Sequence, residues 1–401
     1  MNIVEINELD VHGKIVELTR AERRMASRLI DKIGVEWLVD GKVRVYSKGL
    51  IGSALLSDET TLRVVTKVPV GNLLLLAGLA FQTSRIPPAV GSALLTEQED
   101  ELDWFAVLLL AELETLVRQG LRNSYVVVEE DLPYVRGRIR FDVARSLTHP
   151  GMVGCEYADL LPDTPENRLI RTVLEVLATR ELLPGLRVRV DKLLKHFDGV
   201  GFERPHRRLI EDCRITRVNQ HYAPVLRLCE IFLEQLGLDA VPGQVKAPAF
   251  FFDLVEVFEA AIGNVLAGGL PNVRLQRAHS RGPVSGQPAR TLTYRPDIWI
   301  DGPEVGLVLD TKYSSVDMKG QYGSYSYKNS HIYQAAFYGL SLGCPAILIY
   351  PETDGAVDVT YDIEGIQVTL LTVDLAATGL SDLARLVSRV CQLSGASVSE
   401  G

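Results

Sequence analysis

The stretch RPDIWIDGPEVGLVLDTKY, residues 295–313, constrains the fold of this chain more than any other. Two apolar runs, 298–300 and 306–309, read as strands of a sheet covered on both faces. Residues i and i+2 of a strand leave it on the same side, so Asp310 and Lys312 share a face. A buried, unpaired charge there would be costly. Either the two neutralise each other or they serve a ligand.

At 401 residues the chain has room for two or three domains. Its net charge of −9 excludes a general nucleic-acid binder, so a polyanion would need a local basic patch or a partner. The five cysteines, an odd number with no C-x-x-C, argue against a disulfide framework or zinc knuckle and fit a reducing cytoplasm. The start, MNIVEINELDVHGK, carries acids where a signal peptide wants a basic end. The most apolar run, LLLLAGLAF (73–81), is too short to span a bilayer. A soluble, cytoplasmic protein with no membrane segment is expected.

Alternation predicts short strands over 1–70, then helices at 71–82, at 97–119 with a Thr cap, and at 164–183. Between them, 123–147 reads as a hairpin turning near Leu132 and Pro133, and 184–240 continues helically. From 250 a helix runs through FFDLVEVFEAAIGNVLAGG. A strand NVRLQRAH follows, then a loop, the two opening strands, the helix NSHIYQAAFYGLSLG, and the strands AILIYP and IQVTLLTV. The expected fold is a multidomain mixture of α/β and α+β. It divides into a β-rich region with helices (1–160), a helical linker region (161–245) and an α/β domain with a mixed central sheet (246–401).

Asp297, Asp310 and Lys312 stand on or beside those two strands, and Glu259 on the preceding helix adds a third carboxylate. Oxygen ligands in that number suit Mg²⁺, with Mn²⁺ as a substitute, and make Asp297, Asp310 and Glu259 the candidate ligands. Such an ion polarises a phosphodiester and activates a water, and Lys312 would offset charge in the transition state. Glu256, one helical turn from Glu259, is the rival helix acid. A lone D-x-K is commonly only an exposed ion pair; here the apolar flanks argue for a central strand. Gln334 and Tyr338 lie at i and i+4 of the next helix and so share a face.

In this order the elements resemble the PD-(D/E)XK nuclease core, and Gln334 with Tyr338 resembles the extra Q-x-x-x-Y motif of a subset of these nucleases, in which it lies near the metal and the DNA. Moreover TKVPVGNLLLL, YVRGRIRF, DTPENRLIRTVL, VFEAAI, RPDIWI, VLDTKY, HIYQAAFYG and AILIYP follow the order of McrC-type proteins, the nuclease subunits of McrBC-like, modification-dependent restriction systems. The resemblance implies a DNA endonuclease subunit sensing modified cytosine together with an AAA+ GTPase ring of McrB type. The ring would read and translocate double-stranded DNA carrying modified bases, and this subunit would stimulate its GTPase. Asp297, Asp310 and Lys312 would take the family's catalytic roles, with Glu259, Gln334 and Tyr338 beside them. Where some relatives carry an acid or amide, this chain has Ser330-His331.

No G-x-x-x-x-G-K-[ST] occurs in these 401 residues, so nucleotide hydrolysis belongs to another chain. Arg136, Arg138, Arg140 and Arg145 are the densest basic run. At period two the first three share one strand face, either balanced by Glu129, Glu130, Asp131 and Asp142 or turned to DNA phosphate or an acidic partner pore. McrC-type proteins send a β-rich projection from this region into the ring. The scattered histidines support no zinc enzyme, and Ser53, Ser285 and the cysteines no nucleophile site. Two other readings remain: a nuclease of the same core acting in DNA repair without a ring, and a noncatalytic adaptor that activates an NTPase.

Overall fold

The computed structural model of the chain describes residues 2–10, 12–38, 41–83, 101–140, 151–236, 249–281, 292–302, 306–316 and 328–394. Outside them lie the expected cap at Thr96, Asp142 and Arg145 of the basic run, the loop containing Ser285, and most of the polar loop before the helix at 329. By contacts the chain forms two units, residues 1–108 with 245–401, and residues 109–244.

The chain begins β1 (Asn2–Asn7), β2 (Lys14–Val16), α1 (Arg20–Arg28), β3 (Gly34–Trp37), β4 (Val43–Tyr46), β5 (Leu50–Ser57), β6 (Thr60–Val65) and α2 (Val70–Phe81). It continues as α3 (Glu101–Gln119), β7 (Ser124–Leu132), β8 (Arg138–Ile139), β9 (Val153–Leu161), α4 (Pro165–Ala178), α5 (Pro184–Leu194), α6 (Arg207–Glu211) and α7 (Ala223–Leu236). The remainder is β10 (Ala249–Asp253), α8 (Leu254–Gly269), β11 (Val273–Leu275), β12 (His279–Arg281), β13 (Leu292–Tyr294), β14 (Ile298–Ile300), β15 (Leu307–Thr311), α9 (Asn329–Leu342), β16 (Ala346–Pro351), β17 (Asp358–Ile363), β18 (Ile366–Val373) and α10 (Asp382–Ser394).

In the first unit β1, β6, β5 and β10 form one sheet, and the small sheet β2-β4-β3 shares its core. The helix expected to include FFD is corrected here. Residues 249–253 are a strand paired antiparallel with β5, and the helix starts only after Asp253, whose Oδ1 accepts from Val255 N at 2.9 Å and Glu256 N at 3.1 Å. That pairing returns the chain to its amino-terminal sheet, so the contact units do not follow the three consecutive segments expected. The reading of 1–70 as strands alone is also corrected. Helix α1 interrupts it, started by a capping box in which Thr19 Oγ1 accepts from Glu22 N and Glu22 accepts from Thr19 N. The signal, T-x-x-E before a helical run, is in the sequence.

The second sheet of this unit runs β11-β14-β15-β16-β18-β17, parallel in its centre and antiparallel at both sides. The central sheet is therefore mixed, as expected, with β17 and α10 as elements the alternation did not suggest. Every residue of β15 and β16 is buried. Helix α9 packs on the face carrying Val308 and Leu348, while Phe258 of α8 meets Tyr313 at 5.6 Å. Asn264 of α8 donates to the last-turn carbonyls of α2, Leu79 O at 2.9 Å and Ala80 O at 3.0 Å, satisfying acceptors that a helix end leaves open. This lock sets the position of α8 and hence of Glu259.

In the second unit DTPEN builds a buried polar network. Thr164 caps α4, Glu166 accepts from Arg122 Nη1 at 2.6 Å and Asn219 Nδ2 at 2.7 Å, and Asn167 accepts from the Tyr222 hydroxyl at 2.9 Å. The hairpin expected over 123–147 is not formed. The described sheet has the order β7-β9-β8, with β9 between the two segments meant to pair. The alternating Val153, Cys155 and Tyr157 of β9 supply the apolar face that β7 needs, with Leu132 in the same small core. All five cysteines are free thiols. Among the described residues no helix is long and apolar enough to cross a membrane.

Candidate functional site

The register of β14 and β15 pairs Ile298 with Leu309, so Asp297, one residue earlier, comes level with Asp310. Asp297 Oδ2 accepts two hydrogen bonds from Thr311, from its N–H at 2.7 Å and its hydroxyl at 2.9 Å. Asp310 is only 2% exposed, and the Lys312 ammonium forms an ion pair with its Oδ2. No aligned hydrogen-bond donor reaches that oxygen among the described residues. Burial, and next the neighbouring Asp297, push the Asp310 carboxyl up to about 6 despite the pull of Lys312. The pair thus neutralises itself only in part.

Glu259 reaches the same group from α8. Burial, then Asp297 and Asp310, raise its carboxyl to about 7. Glu256 is exposed, so of the two helix acids Glu259 is the one directed at the cluster. Gln276 joins the parts: its side-chain amide donates to Glu259 Oε1, and its N–H donates to the Asp297 carbonyl at 2.8 Å. To do so it adopts φ 51°, a left-handed conformation rare outside glycine. Sequence reasoning missed Gln276, and nothing in NVRLQRAH marks it. It also passed over Thr311, whose place inside Asp-Thr-Lys is a signal.

Gln334 and Tyr338 share a face of α9, and Gln334 Nε2 donates to the Tyr338 hydroxyl at 2.8 Å. Burial is the main cause raising the Tyr338 phenol, but Asp310, Lys312 and Asp297 also act on it, which brings it into the field of the cluster. Tyr294 stacks on Tyr338 at 5.9 Å, and His279 stacks on Tyr294 at 5.6 Å. His331 has Nδ1 3.2 Å from the Tyr350 hydroxyl, and burial together with Lys312 and Lys328 lowers it to about 4, so it is a neutral imidazole at neutral pH.

Among the described residues no three His, Cys, Asp or Glu side chains form a ready-made metal set, so the convergence of three carboxylates as ligands is not displayed. Mg²⁺ nevertheless fits what is present, because it takes one or two protein carboxylates and keeps several waters. The buried Asp310 Oδ2 and the mutual repulsion of Asp297, Asp310 and Glu259 are what a cation would relieve.

The arginine run lies in the other unit. Strand β8 is two residues long, so the single face expected to carry Arg136, Arg138 and Arg140 does not exist. Arg136 pairs with Asp159 at 3.0 Å and lies 3.9 Å from the centre of the Tyr157 ring. Arg140 pairs with Glu129. Arg138 is exposed, with no ion-pair partner among the described residues. On the outer face of β7 and β9, Tyr125, Val127 and Leu160 are 76%, 65% and 50% exposed.

These features define a class: a mixed α/β, multidomain protein with a buried aspartate ion-paired to a half-buried lysine, beside a second aspartate, at the heart of a central sheet. A family model described as McrBC 5-methylcytosine restriction system component matches residues 45–351, and the chain belongs to that family. It is 25% identical over 297 residues to the type IV methyl-directed restriction enzyme EcoKMcrBC of Escherichia coli strain K12, covering 68% of this chain and 83% of that protein. Its fold matches, with a TM-score of 0.63 at 16% identity, a chain in the refined half-complex of a tetradecameric assembly of Thermococcus gammatolerans McrB AAA+ hexamers with bound McrC. That match covers 97% of this chain and 100% of the other. The McrC-type resemblance read from VLDTKY and its companion segments therefore holds.

Proposed function

We propose that this chain is the Mg²⁺-dependent DNA endonuclease subunit of a GTP-dependent, modified-cytosine-sensing restriction complex in the cytoplasm. Its PD-(D/E)XK core would comprise α8, β14, β15 and α9. One observation carries the reading: in a chain of this family, Asp310 is buried, ion-paired to Lys312 and level with Asp297. Asp297 and Asp310, with Glu259 held by Gln276 behind them, would bind Mg²⁺ or Mn²⁺. When bound, the ion supplies Lewis-acid polarisation of the phosphodiester and a water of lowered pKa. Lys312 places a fixed positive charge where the anionic transition state gains charge. Gln334 and Tyr338, hydrogen-bonded to each other on α9, would orient groups on that side of the same cluster.

The solved relative contains McrB AAA+ hexamers with bound McrC. This chain would occupy the McrC place beside such a ring, stimulate its GTPase and leave the reading of modified double-stranded DNA to it. The net charge of −9 and the lack of a phosphate-loop motif in these residues support that division of labour. The test is cleavage of modified duplex DNA in Mg²⁺ with the partner and GTP. Asp310→Asn and Lys312→Ala should each lower it by roughly 10²-fold or more, with partner binding and GTPase stimulation retained. Cleavage at the parent rate by either variant would remove the assignment at these residues.

A further inference from the structure

Between α3 and α5, within the unit 109–244, lies a cleft of about 440 Å³ lined by Glu114, Arg118, Arg189, Lys192 and His196 over an apolar floor. Arg189 is fixed at one end, with Nε 2.7 Å from Glu114 Oε1 and the side chain only 17% exposed. At the other end its Nη1 is buried and finds no hydrogen-bond acceptor among the described residues. Buried guanidinium N–H groups are seldom left without one. Among the described residues Arg118 reaches only the Thr115 hydroxyl, at 2.9 Å, which leaves its positive charge uncompensated by that bond. Three permanent cations thus line the cleft against the single carboxylate of Glu114. The local excess continues along the chain: residues 184–217 contain nine Lys and Arg against five Asp and Glu, in a protein that is acidic as a whole.

A cleft with a partly desolvated guanidinium, two further cations and spare N–H donors is built for an oxyanion. Arginine forks match phosphate geometry, and a phosphate group offers the spare donors more acceptor oxygens than a carboxylate would. We propose that this cleft binds a phosphate group, of a nucleic-acid strand or of a nucleotide, through Arg118, Lys192 and the guanidinium of Arg189. The site is separate from the carboxylate cluster and does not depend on the endonuclease reading.

Hydrogen–deuterium exchange of the full chain tests it, with inorganic phosphate, dAMP and a 20-base-pair duplex as probes. At least one probe should protect segments 111–119 and 186–196. The double variant Arg118→Ala/Lys192→Ala, altered at exposed positions, should keep the parent melting temperature. It should need at least about tenfold more probe for the same protection, as the loss of two charge-assisted contacts implies. Protection by Asp310→Asn equal to that of the parent would support the independence of the site. Strongest protection by the duplex assigns a nucleic-acid phosphate, and by dAMP a nucleotide. No protection by any probe, or undiminished protection in the double variant, would overturn the proposal.

Discussion

Thr311 holds Asp297 with two donors, one from the backbone and one from the side chain. Only the second can be removed without touching the strand. Thr311→Val keeps the shape of a buried β-branched residue but leaves one carboxylate lone pair without its hydroxyl. Cleavage by the assembled complex should then fall by about tenfold, in the range for groups that orient a ligand from behind. Thr311→Ser should restore most of it, because the hydroxyl returns. If the valine variant cuts like the parent, the hydroxyl has no positioning role. Around it, the charges that looked conspicuous in the sequence do come together, whereas the choice between Glu256 and Glu259 depended on which side of α8 faces the cluster.

At the scale of elements, α1 is held by one carboxylate with several donors. Hydrogen bonds from the Thr60 hydroxyl, the Thr19 backbone and Ser57 lower Glu22 to about 2. A folded-state value below the unfolded one means that stability is fully present above about pH 4.5 and is lost as pH falls towards 2. Urea midpoints should therefore show the parent ahead of Glu22→Gln at pH 7, with the gap narrowing below about pH 4.5 and gone near pH 2. A constant gap would mean that Glu22 acts through packing alone. The β7-β9-β8 sheet gives a different expectation. Arg136 and Arg140 are engaged in solvent-screened surface ion pairs with Asp159 and Glu129. Arg138 faces solvent without such a partner among the described residues. Arg138→Glu should leave the melting temperature unchanged and, if this sheet docks against an acidic pore, weaken stimulation of the partner's GTPase, because attraction would turn to repulsion. Normal stimulation would move the contact elsewhere, with the exposed Tyr125, Val127 and Leu160 face the next surface to alter.

For the whole molecule the expectation concerns dependence on a partner. The purified chain should hydrolyse neither GTP nor ATP and should cut duplex DNA poorly, since it carries net −9 and no phosphate-loop motif in these residues. Robust cutting by the chain alone would favour a repair nuclease acting without a ring. Robust nucleotide hydrolysis by it would refute the subunit reading outright.

What the sequence determined by itself is local. Alternation and apolar runs marked β15 and β16 as central strands, and Thr caps with their following acids marked the start of α4. The Asp297, Asp310 and Lys312 set was legible because residues two apart on a strand share a face. Tertiary structure alone decided the pairings. An apolar pattern states which face a strand hides but not which strand covers it, and closing a longer loop costs only slightly more entropy than closing a short one. Hence β10 could leave its neighbouring helix to pair with β5, nearly two hundred residues earlier, and β9 could insert between β7 and β8. The same reason hid Gln276 and the Arg189 cleft. Each is made by segments that are unremarkable alone and acquire meaning only where the fold sets them side by side.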